Sequence, residues 1–584
     1  MAFICYNSPM KDELLKHLQK AVGTLDIDSA SVALEYPENL DHGDFSTNVA
    51  LANAKILKIS PRALAEKVVE AFKKDMPDFV ESVEIAGAGF INFKLKDKVF
   101  AEQIVAIASD GGEYGWSKTD AGKKIMVEYT DPNICKVFHV GHLMANAIGE
   151  SLSRLIEGSG AQTIRACYPS DVGLNVAKTI AAILKDADGK MPDESVASRD
   201  KADYLGKMYV KGTKMYDEDK DAQAFIIDVN KKIFAGSDKK VTELYEKCRK
   251  WSLEYFNLIY KRLDTKFDVT IYEREVAEPG IVIVKEFLGK GVFKESDGAI
   301  VFKGEDYGLH TRVFITSQGL PTYETKELGL NAKKFELYPD LDESIVVTAD
   351  EQNDYFKVLL KSLEFIRPGI AAKTRHLSHG LLRFSSGKMS SRTGNVISAE
   401  SLIDEIKDMV KDKMSGRELP SAQVNEISDQ VAIAAIKYTI LRQAIGGDVI
   451  FDSAKSISFE GDSGPYLQYS AVRAAAVLEK AEKEGVKVAK NSAKATLPEK
   501  AGLLEKLIVR FPDIVARART EYAPQHIAGY LINLAGAFNS FYGNQTIADA
   551  KDPLSPYYVA LTKSFRTTMT NGLWLLGIKV PEKM

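Results

Sequence analysis

The spacing of apolar residues changes twice along the chain. Leu14, Leu15, Leu18 and Val22 step by three or four and predict a first helix. Residues 49–57 and 61–72 share that period, the second with Pro61 at its start, where a missing N–H is tolerated. In 82–95 the rhythm becomes strand-like: Ile85, Phe90, Ile91 and Phe93 are set among small or polar residues around a Gly-x-Gly turn. A Gly-rich charged connector (111–124) follows. Next come a short β run at 125–129 ended by Asp-Pro-Asn, and a helix with Met144, Ile148, Leu152 and Leu155 on one face. Gly158 and Gly160 stop that helix, and a second strand follows at 163–167. Strand, tight loop, helix and strand make a βαβ unit, the building block of a parallel sheet. Residues 190–262 are charged and helical, an insertion on that sheet, after which sheet-like runs resume at 299–302, 312–317 and 344–349. Beyond about residue 400 strand signals fade. There Ile527, Leu531, Leu534, Phe538 and Phe541 mark an amphipathic helix. Three parts are expected: a small α+β domain (1–118), an α/β domain built on a parallel sheet (119–398) and an all-α helical bundle (399–584).

Composition narrows the class. The 584 residues are 45% hydrophobic and 27% charged, which excludes disordered and collagen-like chains. No apolar run approaches the ~18 residues of a membrane helix, so no membrane partner is expected. The four cysteines lie far apart with no C-x-x-C, which points away from disulfides and zinc. With no secretory pattern in the opening residues, the expected location is cytoplasmic. Net charge is −4, yet residues 471–584 hold 16 Lys+Arg against 10 Asp+Glu, so a polyanion would find its footprint at that end.

Two segments can carry chemistry. His139-Val140-Gly141-His142 falls between the strand and the helix, where unpaired N–H groups and the helix dipole suit an anion. Two imidazoles three residues apart can both donate to one phosphate group, or else cap the helix or sit satisfied in a core. The second segment, 384–398, is rich in Gly and Ser and carries Lys388, Arg392 and several hydroxyls, a composition able to neutralise a triphosphate. H-x-G-H followed by K-M-S, with a parallel-sheet pattern between, resembles the class I aminoacyl-tRNA synthetases.

Within that class the stretch EYTDPNICKVFHVGHLMANAIGESLSRL (128–155) is similar to the arginyl-tRNA synthetase family, as are HGDFSTNVA (42–50), GAGFINF (87–93) and KMSSRTGN (388–395). FEGDSGPYLQYSAVRA (459–474) and FNSFYG (538–543) extend the resemblance to the C-terminal end. It implies a Rossmann-like catalytic domain, a tRNA-binding N-terminal domain and an anticodon-binding bundle. Substrates would be ATP with Mg²⁺, L-arginine and tRNA(Arg), acted on by a monomer. Asn133 and Gln352 would hold the amino and carboxylate ends of arginine, and Tyr323 and Glu327 the guanidinium. A second acid would be Glu273, with Glu275 as the alternative. Such a pocket agrees with the forked geometry of a guanidinium between carboxylates. His139, Gly141, His142, Lys388, Met389 and Ser390 would contact ATP, and Phe90, Asn92, Tyr542 and Met584 would contact tRNA. The second lysine of the usual class I loop is Ser391 here, and Thr393 stands where related enzymes add another. The triphosphate clamp then rests on Lys388 and Arg392, aided by Lys136. Asp171 is either a further substrate ligand or a helix cap. Competing readings are a cysteinyl-type synthetase, which needs clustered zinc ligands, and a small-molecule adenylyltransferase, which has no use for a helical C-terminal domain.

Overall fold

The computed structural model describes residues 9–37, 39, 42–186, 189–385, 398–415 and 420–584. Its centre is the expected βαβ unit. Strands Lys124–Glu128 and Gln162–Cys167 run parallel, from Lys124 opposite Gln162 to Glu128 opposite Ala166, joined by helix Val140–Gly158. Three more strands complete a five-stranded parallel sheet in the order Thr374–His379, Glu343–Ala349, Lys124–Glu128, Gln162–Cys167, Val269–Thr270. Ile125, Met126 and Val127 are apolar on successive residues because a central parallel strand is covered on both faces. From Lys124–Glu128 the chain first builds outward to one side, then returns to build the other. The crevice between the ends of Lys124–Glu128 and Glu343–Ala349 is therefore a topological switch point, where α/β sheets bind ligands.

Two of the three later sheet-like runs lie elsewhere. Ala299–Phe302 and Arg312–Ile315 join Lys294–Ser296 in a separate antiparallel sheet. The cause is the Asp297-Gly298 pair, whose φ values of 49° and 77° make a tight hairpin turn. Between the strands Gln162–Cys167 and Val269–Thr270 lie, among others, the helices Ser198–Glu218, Lys220–Ala235 and Lys239–Arg262. The first of these three presses on helix Leu174–Asp186 at Gly212, where a Cβ would lie 2.0 Å from the Lys178 carbonyl oxygen.

Helices Ser421–Leu441, Gln525–Asn544 and Ser555–Leu575 of the C-terminal part share one hydrophobic core with helix Val140–Gly158, which is buried almost all round. Polar ties fix the union. The Ser151 hydroxyl donates to the Leu575 carbonyl at 2.8 Å, and Lys437 donates to the carbonyls of Leu263 and Gly577 at 2.7 and 2.8 Å. The N-terminal antiparallel sheet (Phe45–Thr47, Phe90–Leu95, Val80–Ala86) closes a core of its own around Leu14, Leu18, Phe72 and Phe93. Helix Asp97–Asp110, although it precedes residue 118, buries Ile104 and Ile107 in the large core. Among the described residues no helix is long and apolar enough to cross a membrane.

Gly149 is set against the Tyr129 ring, and a Cβ there would meet Tyr129 Cγ at 2.2 Å. The Gly149→Ala change should destabilise the fold by about 1–3 kcal/mol of overpacking strain, read as a lower thermal midpoint. An unchanged midpoint would mean that the helix and the loop before it are not so tightly joined.

Candidate functional site

The loop from strand Lys124–Glu128 to helix Val140–Gly158 is strained. Thr130, Asp131 and Cys135 have φ of 84°, 42° and 63°, a conformation that costs about 1–3 kcal/mol per non-glycine residue. Buried partners hold it. Asn146 donates to Thr130 Oγ1 (3.1 Å), the Tyr168 N–H to Asp131 Oδ1 (2.6 Å) and the Cys135 N–H to the Ser252 hydroxyl (2.9 Å). The Ile134 N–H reaches the Ser170 carbonyl at 3.0 Å, beside a backbone bridge between Asn133 and Ser170.

The loop delivers His139 as the helix N-cap. Its Nδ1 accepts from the N–H groups of Gly141 (3.1 Å) and His142 (3.4 Å), while His142 Nδ1 accepts from the His139 N–H at 3.3 Å. The rings stack at 3.6 Å. These bonds alter the sequence-based picture of free amides waiting for an anion, because the imidazoles cap those amides. Since each Nδ1 accepts, each proton sits on Nε2. Burial first, then the charge of Lys136, pulls the His139 pKa down to about 4. Burial first, then His139 and Lys136, holds His142 well below the usual range. Two neutral rings thus present Nε2–H donors at the positive end of a helix. Gly141 keeps the cap open, since a Cβ would lie 3.0 Å from His139 Cε1 and Nδ1.

A cluster of buried acids lies around the ends of the central strands. Glu273, 2% exposed, opens helix Glu273–Gly289, accepts from the Ser170 hydroxyl (2.9 Å) and pairs with Lys326 at 2.7 Å, whereas Glu275 is exposed. Glu327 is 7% exposed on helix Tyr323–Leu337, and its Oε2 has no hydrogen-bond partner among the described residues. Burial, then Glu128 and Glu273, pushes its carboxyl up to about 8 against the opposing pull of Lys334 and the Tyr355 hydroxyl. Glu128 ends the central strand and pairs with Lys334 at 2.7 Å, both fully enclosed. Burial and Glu128 likewise raise Asp131. The Tyr168 hydroxyl is buried without a hydrogen-bond partner among the described residues and feels Glu273 and Glu327. Among the described residues Glu273 and Glu128 thus pair with Lys326 and Lys334, while Glu327 and Asp131 make no ion pair and have raised carboxyls whose ionised forms an incoming cation would favour.

Tyr323 opens its helix, exposed, with Lys326 Nζ 4.3 Å from its ring centre. Gln352 is exposed at the end of strand Glu343–Ala349, on the other side of the crevice. Asp171 supports a helix distant in sequence rather than the one that follows it. It is buried and accepts from Arg249 Nε (3.1 Å), the Tyr245 hydroxyl (3.4 Å) and the Arg274 N–H (3.2 Å), so it holds the start of the Glu273 helix. Glu128, Tyr168 and Ser170 were missed from the sequence. The available signal was an acid closing an apolar strand directly before the histidine loop.

Lys388, Met389, Ser390 and Arg392 lie outside the described residues, but both flanks of their segment are placed. The Ser385 N–H donates to the Phe451 carbonyl at 3.0 Å. The Ala399 N–H donates to the Phe138 carbonyl at 2.7 Å, and Ser398 pairs antiparallel with His139 itself. Away from the crevice, Phe90 (44% exposed) and Asn92 share the outward face of a strand in the N-terminal sheet, and Asn92 accepts from the Ser46 hydroxyl at 2.7 Å. Tyr542 is 42% exposed on helix Gln525–Asn544, with the Arg473 guanidinium 5.0 Å from its ring centre. Met584 packs, partly buried, against the large core.

Comparison with known proteins gives the same outline over the whole length. Residues 103–453 match the family model "tRNA synthetases class I (R), catalytic domain", 467–584 the "DALR anticodon binding domain" and 9–95 the "Arginyl tRNA synthetase N terminal domain". The chain is 31% identical to an arginine–tRNA ligase of Clostridium acetobutylicum over 98% of its length and 100% of the relative's. It is 30% identical to one of Clostridium botulinum over 96% and 97%. In fold it is similar to the Thermus thermophilus arginyl-tRNA synthetase, with a TM-score of 0.81 at 23% identity, covering 98% of this chain and all of that one.

Proposed function

Because this chain belongs to the class I arginyl-tRNA synthetases, we propose that its helix mouth, its buried acids and the cations Lys136, Lys388 and Arg392 act on one ATP and one arginine. The activity is that of an arginine–tRNA ligase, with ATP, arginine and tRNA(Arg) as substrates. The arginine carboxylate attacks the α-phosphorus of ATP, the bond to pyrophosphate breaks, and the arginyl group then passes to a ribose hydroxyl at the tRNA 3′ end, releasing AMP. No protein nucleophile takes part; catalysis is positioning and charge stabilisation.

In this reading Nε2–H of His139 and His142 donates to phosphate oxygens as they gain charge, with Gly141 admitting the nucleotide close to the backbone. Lys136, Lys388 and Arg392 neutralise the triphosphate, and Met389 and Ser390 line its path. Glu327 and Glu273 take the guanidinium beside Tyr323, while Asn133 and Gln352 hold the amino and carboxylate ends. ATP enters as its Mg²⁺ complex. Among the described residues no three His, Cys, Asp or Glu side chains gather as a metal site, so the phosphates themselves would carry the ion. Zinc has no part in the reading, and the enzyme acts as a cytoplasmic monomer. The observation that carries it is the backbone pairing of Ser398 with His139, which brings the end of the segment bearing Lys388 and Arg392 to the imidazoles.

Steady-state aminoacylation of Asn133→Ala and Tyr323→Ala tests the assignment. Each should raise the arginine KM by about ten-fold or more, the scale of one lost substrate hydrogen bond to a charged group, while the ATP KM stays nearly constant. Equal rises in both would contradict it. On the RNA side, Phe90 and Asn92 would read a tRNA loop, with Tyr542 and Met584 at the anticodon. Phe90→Ala should raise the tRNA KM roughly 5- to 100-fold through lost stacking, with the arginine KM unchanged. A shift in the arginine KM alone would argue against an RNA-facing role.

A further inference from the structure

The lysine closest to the imidazoles stands in an awkward place. Lys136 lies three residues before the N-cap of helix Val140–Gly158, and its charge depresses both His139 and His142. The positive end of the helix repels an ammonium there by about 0.3–1 kcal/mol. Among the described residues no carboxylate lies within ion-pair distance of it. A free lysine also has rotamer entropy of roughly 2 kcal/mol to keep it disordered. Something else holds the ammonium at the helix mouth. Among the described residues Tyr209 does so: its ring centre is 4.5 Å from Lys136 Nζ, and the lysine also feels its hydroxyl.

We propose that Tyr209, from the helical insertion, is a positioning residue for adenylate formation, holding the Lys136 ammonium toward the nucleotide phosphates through the face of its ring. This rests on the reading of Lys136 as a triphosphate cation given above. The insertion is built to deliver the ring. Tyr209 sits on helix Ser198–Glu218 between two glycines that dock it. A Cβ on Gly206 would meet Val137, the neighbour of Lys136, at 3.3 Å, and Gly212 abuts the Lys178 carbonyl. The Tyr209 hydroxyl donates to Asn175 Oδ1 at 3.5 Å, which ties the far end of the ring to helix Leu174–Asp186. Burial would raise the phenol pKa, but the hydrogen bond and charge of Lys136, with Thr213 and Lys178, lower it, as expected for a ring packed into a cationic corner. A half-buried cation on a ring face is held more firmly than an exposed one. The site thereby keeps a cation without the carboxylate that would otherwise neutralise it. A helical insertion far along the chain from the histidines thus acquires a part in the chemistry.

The test is a double-mutant cycle on the full-length enzyme, reading kcat and the KM for ATP and for arginine in ATP–pyrophosphate exchange with tRNA(Arg) present. Lys136→Ala should lower kcat roughly 100-fold, the scale of a lost transition-state contact. Tyr209→Leu should lower kcat about ten-fold, within the range of a desolvated cation–π contact, with the arginine KM within two-fold of wild type. Tyr209→Phe, which keeps the ring, should restore kcat to within about three-fold. In the Lys136→Ala background, Tyr209→Leu should change kcat by less than about two-fold, since its effect passes through the lysine. If Lys136→Ala is impaired but Tyr209→Leu is neutral, or costs the same in both backgrounds, the proposal is overturned while the reading of Lys136 stands. If Lys136→Ala is itself neutral, both fall. A Tyr209→Phe variant as poor as Tyr209→Leu would also overturn the role of the ring face.

Discussion

Alanine at position 142 should slow arginyl-adenylate formation by roughly 10²–10³-fold, about 2.7–4 kcal/mol of lost transition-state stabilisation. The size follows from the geometry. His142 is 7% exposed and fixed by its Nδ1 bond to the His139 N–H, so its Nε2–H needs little reorganisation as charge builds on a phosphate oxygen. With its pKa held well below the usual range by burial and by the charges of His139 and Lys136, the ring stays neutral at neutral and alkaline pH, and the loss should be nearly independent of pH there. Single-turnover adenylate formation is the measurement. A rate within a few-fold of wild type would remove His142 from the chemistry, and a loss confined to low pH would mean that an imidazolium acts instead.

The second large effect belongs to Glu327. Changing it to Gln should raise the arginine Kd roughly 30- to 5,000-fold, the 2–5 kcal/mol that truncating one partner of a buried charge pair costs. Its pH signature is more diagnostic than its size. A carboxyl pushed up to about 8 is protonated at pH 6–7 in the empty pocket, and a guanidinium favours its ionised form. Binding should therefore release a proton below pH 8, so that arginine affinity rises with pH, close to ten-fold per unit, and levels off above about 8. The Glu327→Gln variant should lack that slope. Calorimetric titration with arginine across pH 6–9 reads both. A wild-type affinity flat across that range would mean that Glu327 is already ionised, with Lys334 its working partner.

Much of this site is written locally and therefore legible in the sequence. H-x-G-H lies at a strand-to-helix junction because an apolar run, a Pro-Asn break and a helical period follow one another within thirty residues. The same periodicity gives the helices of the insertion and of the C-terminal bundle. What escapes is tertiary. Glu128 reads as the polar end of a strand until the fold brings Lys334, more than two hundred residues later, against it. Lys326 resembles a surface lysine on its helix, but pairs with Glu273 from another element. The choice between Glu273 and Glu275 needs the rotation of a helix, which Asp171 fixes through the Arg274 N–H. The runs at 299–302 and 312–317 look like more of the same sheet, and only the Asp297-Gly298 turn reveals the separate hairpin. Capping by His139 and His142 is one reading of the sequence; that both Nδ1 atoms accept, and so fix the tautomer, depends on angles that no residue pattern reports.

The imidazole pair and the buried acids are expected to grip opposite ends of one arginyl-adenylate. A crystal structure with a non-hydrolysable sulfamoyl analogue of that intermediate is the decisive measurement. The guanidinium should lie within hydrogen-bond distance of Glu327 and Glu273, with the sulfamoyl group in reach of His142 Nε2. A guanidinium bound away from those carboxylates, or a sulfamoyl group turned from the helix mouth, would contradict it.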